Sequence, residues 1–309
     1  MNLIGVDIGG TKCALSVPDG ADRVREVARF ATTDVHGTRE RLFAEIAKLA
    51  PPAGTVFGVS CGGPLDAKRG LILSPPNLPG WDRIAICDEL TQRFGGKSFL
   101  MNDANACALA EWQFGAGRGC QSMVFLTMGT GMGAGLILDG RLHEGVTGNA
   151  GEVGHIRLAP DGPVGYHKAG SFEGFCSGGG IAQLARRRVA EFAGGSALKQ
   201  LTPEKLTAHA VGEAAAQGDE LALAIWREVG ARLGEALAIL IDVLNPERIV
   251  IGSIYQRCER FIAPAMQAVI AREALPDSAR DCRVLPAELG DGIGGYAAVA
   301  IARYHTGLS

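Results

Sequence analysis

The stretch from residue 3 to residue 15 reads LIGVDIGGTKCAL and predicts two short strands joined by a tight turn. Apolar residues at 3, 4, 6 and 8 form the first strand, and those at 14 and 15 begin the second. The turn between them, residues 9–12 (GGTK), carries little side-chain bulk. Glycine lets a backbone approach a ligand closely, and a threonine hydroxyl beside a lysine ammonium suits a phosphate group.

Asp7 is the unusual residue of this stretch, because it lies at the end of an otherwise apolar strand. A carboxylate in such a place costs free energy unless a positive group meets it, and a hydrated Mg²⁺ ion would do so. Alternatively, the stretch is a tight hairpin in which Asp7 caps its own turn. These residues alone leave both interpretations open.

Composition indicates an ordinary soluble globular protein. The 309 residues allow two domains, and 47% of them are hydrophobic while only 20% are charged. The net charge of −3 argues against a nucleic-acid partner. No apolar run reaches the roughly 18 residues of a membrane-spanning helix, and no signal peptide is recognisable at the N-terminus. Because the eight cysteines are scattered without a CxxC pair, we expect reduced thiols and a cytoplasmic protein. The lack of a long apolar run predicts that the protein has no membrane partner.

The opening pattern returns once, after a linker-like GAGRG at residues 115–119. Residues 123–127 form an apolar strand, residues 129–133 (GTGMG) a glycine turn, and residues 134–138 a second strand. Two such halves facing each other across a cleft would place two phosphate-binding turns opposite one another. The predicted domains are residues 1–116 with 296–309, and residues 117–295.

Two other nucleotide-binding motifs fit poorly. Residues 129–134 match the dinucleotide fingerprint GxGxxA, but that fingerprint requires a helix to follow, whereas residues 135–138 predict a strand. This disfavours a nicotinamide-dependent dehydrogenase. A Walker A loop is missing, because Thr91 stands where the first glycine before Lys97 and Ser98 should be. Any phosphate would therefore be bound by hairpin turns.

The motif NDAN at residues 102–105 supplies the best catalytic candidate, Asp103. It follows a predicted strand and opens an alanine-rich helix, so that its carboxylate could accept the proton of a substrate hydroxyl. Phosphoryl transfer through a loose transition state needs little more than positioning and such a base. The alternative is that Asp103 only caps the helix.

Glu152, His155 and Glu173 lie in a glycine-rich region from residue 146 to 177. Glu152 and His155 have the i, i+3 spacing of metal ligands, but no third ligand is close in sequence. They could equally bind sugar hydroxyls, or be ordinary surface residues. The motifs by themselves do not decide between these roles.

Taken in order, the motifs resemble those of the ROK family of sugar kinases, along almost the whole chain. The strongest matches are DIGGTK (7–12), NDAN (102–105), TMGTGMGAG (127–135) and GEVGH (151–155). The resemblance implies an α/β fold of two actin-like (ribonuclease H-like) domains with an interdomain cleft. It also implies transfer of a phosphoryl group from ATP, with Mg²⁺, to a hexose, and a homodimer or homotetramer.

The resemblance also implies roles for individual residues, with Asp103 as the general base and Asp7 orienting Mg²⁺ through water. The residues expected to hold ATP are Asp7, Gly9, Gly10, Thr11, Lys12, Thr130, Gly131 and Gly252. The residues expected to hold the sugar are Gly63, Asn77, Asn102, Asp103, Glu152, His155 and Glu173.

The chain departs from the family in the segment GPVGYHKAGSFE at residues 162–173. Val164, Tyr166 and Ser171 stand where the family usually has the cysteines that bind structural zinc together with the histidine of ExGH. His155, His167 and Cys176 have the wrong spacing to replace that site. We therefore predict no zinc, and expect packing of Tyr166 and Phe172 to hold the segment.

Two further departures bear on function. Ser253 follows Gly252 where the family usually has a second glycine. The repressors of the family carry a DNA-binding domain before DxGxT, but here DxGxT begins at residue 7, so that we expect no preceding DNA-binding domain.

Glucose, phosphorylated at the 6-hydroxyl, is the first choice of substrate. A fructokinase, an N-acetylhexosamine kinase and a sugar sensor without catalysis remain open, and the altered segment at 162–173 favours the sensor slightly.

Overall fold

The computed structural model describes residues 2–307 as a mixed α/β protein. The chain divides into two compact units, each with a five-stranded sheet. Unit 1 takes in the chain up to residue 119, residues 144–148 and the chain from residue 288 onward; unit 2 takes in residues 120–143 and 149–287. The domain boundaries given above, at residues 116 and 296, stay a prediction. No helix of the described residues is long and apolar enough to cross a membrane.

Residues 2–307 form fourteen strands and ten α-helices. The strands are β1 Leu3–Ile8, β2 Lys12–Pro18, β3 Val24–Ala31, β4 Val56–Cys61, β5 Leu65–Asp66, β6 Leu71–Ile72, β7 Lys97–Asn102, β8 Met123–Met128, β9 Met132–Leu138, β10 Arg141–Leu142, β11 Val164–Gly165, β12 Lys168–Ala169, β13 Arg248–Ser253 and β14 Arg283–Pro286. The α-helices are α1 Val35–Lys48, α2 Ile86–Phe94, α3 Asp103–Phe114, α4 Phe172–Cys176, α5 Gly178–Glu191, α6 Ala208–Ala216, α7 Glu220–Leu244, α8 Ile254–Glu273, α9 Pro276–Asp281 and α10 Ile293–His305.

The sheet of unit 1 has the strand order β3-β2-β1-β4-β7. Strands β1, β2 and β3 are antiparallel neighbours, whereas β1, β4 and β7 run parallel. The register pairs Ile8 with Cys61 and Cys61 with Asn102, so these three strands end side by side. The glycine turn at residue 9, the glycines at 62 and 63, and Asp103 therefore leave the sheet at the same edge.

Helix α10 lies close against this sheet because two strand residues have no side chain. A Cβ atom on Gly5 would lie 2.7 Å from Val299 N, and one on Gly58 would lie 2.1 Å from Ala298 O. Residues 297–302 of the helix are all buried. Small residues on both surfaces allow this close approach, which fixes the sheet edge beside the N-terminal end of α10.

The buried carboxylate of Glu111 in helix α3 is hydrogen-bonded to the two places where the chain passes between the units, near residues 116 and 288. Glu111 is fully buried, and its two oxygens accept hydrogen bonds from the N–H groups of Ala116, Glu288 and Leu289, at 2.8, 3.1 and 2.9 Å. These donors lie just before the chain leaves unit 1 and just after it returns. A buried charge is tolerated when such donors surround it.

Unit 2 repeats the topology of unit 1. Its sheet has the order β10-β9-β8-β13-β14. As in unit 1, the strands on one side of the central strand β8 pair antiparallel (β8 with β9, β9 with β10), and those on the other side pair parallel (β8 with β13, β13 with β14). The core lies between this sheet and helices α5 to α8. The register pairs Thr127 with Gly252, so the second glycine turn and the end of β13 leave the sheet at one edge. The strand–turn–strand repeat predicted from the sequence is confirmed.

Candidate active site

The first glycine turn has a fixed backbone and exposed side chains. Gly9 N–H donates to Lys12 O at 3.0 Å. Thr32, the residue after β3, braces the turn, because its N–H donates to Thr11 O at 3.0 Å and its hydroxyl donates to Gly9 O at 2.6 Å. The side chains of Thr11 and Lys12 are exposed. A fixed turn that presents a hydroxyl and an ammonium group is a suitable phosphate site.

Gly10 packs against Asn77, which joins the turn to the predicted sugar residues of unit 1. A Cβ atom on Gly10 would lie 2.4 Å from Asn77 O. A Cβ atom on Gly62 would lie 3.6 Å from both polar atoms of the Asn77 side chain. Asn77 and Gly63 are exposed. The structure therefore brings Gly10, Gly62 and Asn77 together, and Gly63 follows Gly62 directly in the chain.

Asp7 lies half-buried at the same edge. Loss of hydration, then the charge of Asp103, raise the pKa of Asp7 to about 6, against the opposing effect of Lys12. A Cβ atom on Gly294, at the start of α10, would lie 2.5 Å from a carboxylate oxygen of Asp7. The charge of Asp7 is therefore only partly compensated by protein groups, so the carboxylate is suited to a cation.

The structure assigns separate roles to Asn102 and Asp103. Asn102 is the N-cap of α3, because its side-chain oxygen accepts from Asn105 N–H at 2.8 Å. Asp103 is the first helical residue and accepts from Ala104 N–H at 2.9 Å. The alternative that Asp103 is the cap is wrong. Asp103 keeps an exposed surface, yet enough protein surrounds its carboxyl group that loss of hydration raises the pKa above its usual range.

The second glycine turn is held at both ends by the α4–α5 corner. Gly129 O accepts from Gly178 N–H at 2.7 Å, and Met132 N–H donates to Oε2 of Glu173 at 3.0 Å. Within the turn, Gly129 N–H donates to Gly131 O at 3.1 Å. Thr130 is exposed at the tip, while Gly252 lies beside Thr127 on the neighbouring strand. The structure thus brings Thr130, Gly131, Gly252 and Glu173 to one edge of unit 2.

The GEVGH motif is pressed against β9 directly after this turn. Gly151 has a φ of 95°, and its carbonyl accepts from Ala134 N–H at 3.0 Å. A Cβ atom on Gly154 would lie 2.4 Å from Met132 O. These close approaches require glycine, and they leave Glu152 and His155 exposed. Both side chains are available to a ligand that approaches this edge.

Hydrogen bonds hold the segment at 162–173, where the family usually has zinc. The amide of Gln183 pairs with the backbone of Val164, donating to its O at 2.9 Å and accepting from its N–H at 3.0 Å. The guanidinium of Arg157 donates to Ala169 O at 2.8 Å. The buried hydroxyl of Ser171 donates to Lys168 O at 3.0 Å. These bonds close the small hairpin of β11 and β12.

The expected packing of this segment is only partly correct. Phe172 is fully buried, as expected, but Tyr166 is 72% exposed and its ring lies against the rings of His155 and His167. The reason is that Tyr166 and His167 form the turn of the hairpin, with φ values of 40° and 65°. Across residues 2–307, no three His, Cys, Asp or Glu side chains are grouped closely enough to hold a metal ion. That the protein binds no zinc stays a prediction.

Three positioning residues were not predicted from the sequence. Thr32 and Gly294 contact the first turn and Asp7, but each lies far away in sequence, and no local motif marks it. Gly178 belongs to the sequence SGGG at residues 177–180, and its N–H donates to Gly129 O, which gives this glycine run a positioning role.

A sequence model described as ROK family matches residues 3–304. This chain belongs to the ROK family. It is 31% identical over 315 residues to a glucokinase from Thermotoga maritima, covering 99% of each chain. It also resembles the crystal structure of a ROK glucokinase from Streptomyces griseus, solved in complex with glucose and AMPPNP. That similarity has a TM-score of 0.77 and 29% identity, and covers 98% of this chain and 99% of the other.

A repressor is among the relatives as well. The chain is 30% identical over 223 residues to the DNA-binding transcriptional repressor Mlc of Escherichia coli, which covers 72% of this chain and 54% of Mlc. The predicted fold class, α/β with two actin-like domains, is confirmed by the two sheets and by the similarity to ROK kinase structures.

Proposed function

We propose that this ROK-family protein is an ATP- and Mg²⁺-dependent hexose kinase, with the 6-hydroxyl of glucose as its first acceptor. The observation that carries this proposal is the grouping of Asp7, Asp103 and the first glycine turn at one sheet edge of unit 1. The family relation to glucokinases over the whole chain supports it. A fructokinase and an N-acetylhexosamine kinase are the alternatives within the same chemistry.

The residues present fit Mg²⁺ and ATP. A cation beside Asp7 would offset the two largest causes of its raised pKa, namely lost hydration and the charge of Asp103. Mg²⁺ supplies neutralisation of phosphate charge when it is bound. Gly9, Gly10, Thr11 and Lys12 would approach the phosphates from unit 1, and Thr130 and Gly131 from unit 2. Gly252 would lie on the adenosine side.

Asp103 is assigned as the general base. Its raised pKa makes the carboxylate a stronger base than an ordinary aspartate, which favours removal of a proton from the attacking hydroxyl. The backbone hydrogen bond from Ala104 N–H orients the carboxyl group without protonating it. Asn102, Asn77 and the backbone at Gly63 would orient the sugar in unit 1.

Glu152, His155 and Glu173 would complete the sugar site from unit 2. Carboxylates and an imidazole suit a polyol, because each can accept or donate hydrogen bonds to hydroxyls. We also propose the domain division at residues 116 and 296, and a homodimer or homotetramer, which light scattering on the purified protein would test.

The second candidate function is a sugar sensor that binds without catalysis. The relation to Mlc favours it, as does the altered segment at 162–173. The presence of Asp7, Thr11, Asp103 and Thr130 counts against it.

A coupled assay of ADP release, run with Mg²⁺-ATP and a panel of hexoses, tests the proposal. We expect turnover with at least one hexose, with glucose first, and loss of turnover when Mg²⁺ is omitted. If calorimetry shows that a sugar binds, but no hexose of the panel leads to formation of ADP from ATP, the result would favour the sensor.

A further inference from the structure

Glu173 lies among glycines that come from three separate segments of unit 2. A Cβ atom on Gly131 would lie 3.0 Å from its Oε2, and one on Gly154 would lie 3.2 Å from its Cβ. A Cβ atom on Gly165 would lie 2.8 Å from its Cβ and Cγ. The second glycine turn, the GEVGH motif and the hairpin at 164–169 therefore all pack against this one side chain.

One carboxylate oxygen of Glu173 is hydrogen-bonded to the end of the second glycine turn, residues 129–131, which we call the phosphate turn. Met132 N–H, which immediately follows Gly131, donates to Oε2 at 3.0 Å. The same corner holds the other end of the turn, because Gly178 N–H donates to Gly129 O at 2.7 Å. The backbone carbonyl of Glu173 also accepts from Ser177 N–H at 2.9 Å. The two residues that hold the turn, Glu173 and Gly178, are therefore linked within one short, hydrogen-bonded segment of the chain.

We propose that Glu173 is a positioning residue for the nucleotide, and that it couples sugar binding to nucleotide binding. Oε2 fixes the backbone of the phosphate turn, while Oε1 is the atom available to a sugar hydroxyl. A sugar bound to Oε1 restricts the carboxylate, and this restriction also orders Met132 N–H and the turn. Such coupling is reciprocal, because two ligands that favour the same arrangement strengthen each other's binding. This inference rests on the proposed kinase function.

Three substitutions separate this role from that of a simple sugar ligand. Glu173→Gln keeps an acceptor oxygen at the same reach, so Met132 N–H stays bonded. Glu173→Asp keeps the charge but is too short to reach Met132 N–H, and Glu173→Ala removes the acceptor. Glu152→Ala is the matched control, since Glu152 is an exposed carboxylate of the same sugar group whose side chain makes no hydrogen bond to the helical turn it precedes.

The experiment measures the dissociation constant of Mg²⁺-AMPPNP by calorimetry, with and without saturating glucose. We expect glucose to tighten AMPPNP binding to the wild type by about fivefold or more, the lower end of typical couplings. Without glucose, Glu173→Ala and Glu173→Asp should bind AMPPNP about fivefold more weakly, whereas Glu173→Gln and Glu152→Ala should bind it like the wild type. Circular dichroism verifies folding, and Glu173→Asp serves if Glu173→Ala does not fold.

The outcomes distinguish the two proposals. If the wild type binds AMPPNP but Glu173→Asp binds it equally well without sugar, Glu173 is only a sugar ligand and this inference is overturned. The same holds if glucose and AMPPNP bind the wild type independently. If the wild type binds no AMPPNP under any condition, the proposed kinase function fails and this inference with it.

Discussion

The two glycine turns have the same place in the same sheet topology but are held in different ways. The turn at residues 9–12 is braced by Thr32, at the end of the neighbouring strand, and packs on Asn77. The turn at residues 129–131 is braced by Glu173 and Gly178, from helices that follow the sheet. A shared strand–turn–strand pattern therefore fixes the position of each turn, while segments far away in sequence fix its shape.

The residue two positions before each turn differs as well. Asp7 occupies it in unit 1 and Thr127 in unit 2, and each lies on the central strand beside the next parallel strand. Asp7 and Asp103 interact electrostatically, whereas Thr127 carries no charge. In the proposed mechanism, unit 1 therefore supplies the acidic groups for the cation and for proton removal, Asp7 and Asp103, whereas the carboxylates of unit 2, Glu152 and Glu173, bind the sugar.

The largest expected effect of this asymmetry concerns Asp103. Asp103→Asn should lower kcat by roughly 10²-fold or more, because the general base is lost. The fold should persist, since Asn102 rather than Asp103 caps α3. The measurement is the steady-state rate with glucose and Mg²⁺-ATP. Asp88→Asn, an exposed acidic residue in the first turn of α2, is the matched control; near-normal turnover of Asp103→Asn would remove Asp103 from its role.

Replacement of Asp7 by asparagine should raise stability and lower turnover. Because its folded pKa, about 6, lies above its usual value, the charged carboxylate destabilises the folded state. The penalty is complete above pH 6, at most about 3 kcal/mol, and disappears as the pH falls below about 4. Asp7→Asn should therefore raise the free energy of unfolding at pH 7.5 but not at pH 4, while turnover falls.

Urea unfolding of both proteins at the two pH values measures this difference. Thr127→Val, at the equivalent strand position of unit 2, should not give the same pH-dependent stabilisation. If Asp7→Asn is no more stable than the wild type at pH 7.5, the carboxylate is already compensated within the protein, and the argument for a cation beside it loses its basis.

Alanine substitutions should change KM by different amounts at the two turns. Gly10→Ala would place a Cβ atom 2.4 Å from Asn77 O, a backbone atom, so that the turn and the sugar loop must move apart. Gly129→Ala meets nothing nearer than 3.6 Å, the hydroxyl of Thr127. We expect Gly10→Ala to raise KM for both glucose and ATP by about tenfold, equivalent to about 1.4 kcal/mol, and Gly129→Ala to change either by less than about threefold. Equal effects at the two turns would contradict the different bracing.

The smallest expected effect concerns the hairpin at 164–169, which packs against Glu173, the residue that braces the second turn, and is hydrogen-bonded to Gln183. Gln183→Ala removes two hydrogen bonds to Val164 and should lower the free energy of unfolding by about 1–2 kcal/mol. KM for glucose should rise a few-fold. Gln217→Ala, at the exposed C-cap of α6, is the control.

Metal analysis completes this prediction. The wild type should keep its KM after exhaustive treatment with a chelator and return of Mg²⁺, because the hairpin is held by Gln183, Arg157 and Ser171. A stoichiometric zinc signal in the purified protein, lost together with glucose affinity, would show that the segment is held by metal instead.

Local patterns were sufficient to predict much of this structure. The repeat around residues 9–12 and 129–133 predicts both hairpins, because period-two apolar strands and glycine turns leave direct signals in sequence. Residues 220–244 have regular apolar spacing and are followed by Asn245 and Pro246, which predicts a helix with the same bounds as the observed α7.

Other elements could not be predicted from local patterns. Thr202 has a residue type that favours helix N-caps and by itself predicts a helix start, but α6 begins at Ala208 with Thr207 as its N-cap, because the carbonyl of Thr202 closes a separate turn with Lys205 N–H. The apolar spacing of residues 261–274 predicts a helix from Phe261, but α8 begins at Ile254, since the charged residues between them hide the apolar spacing of its first turns. The brace by Thr32 and the clamp by Glu173 join residues 23 and 41 positions apart, which only the tertiary fold brings together.

The most direct test of the whole account is a crystal structure of the protein with glucose, Mg²⁺ and AMPPNP. We expect the phosphates to contact the backbone at both 9–12 and 129–131, and a carboxylate oxygen of Asp103 to lie within hydrogen-bond distance of the 6-hydroxyl of glucose. Phosphates that contact only one turn, or a carboxylate of Asp103 directed away from every sugar hydroxyl, would contradict it.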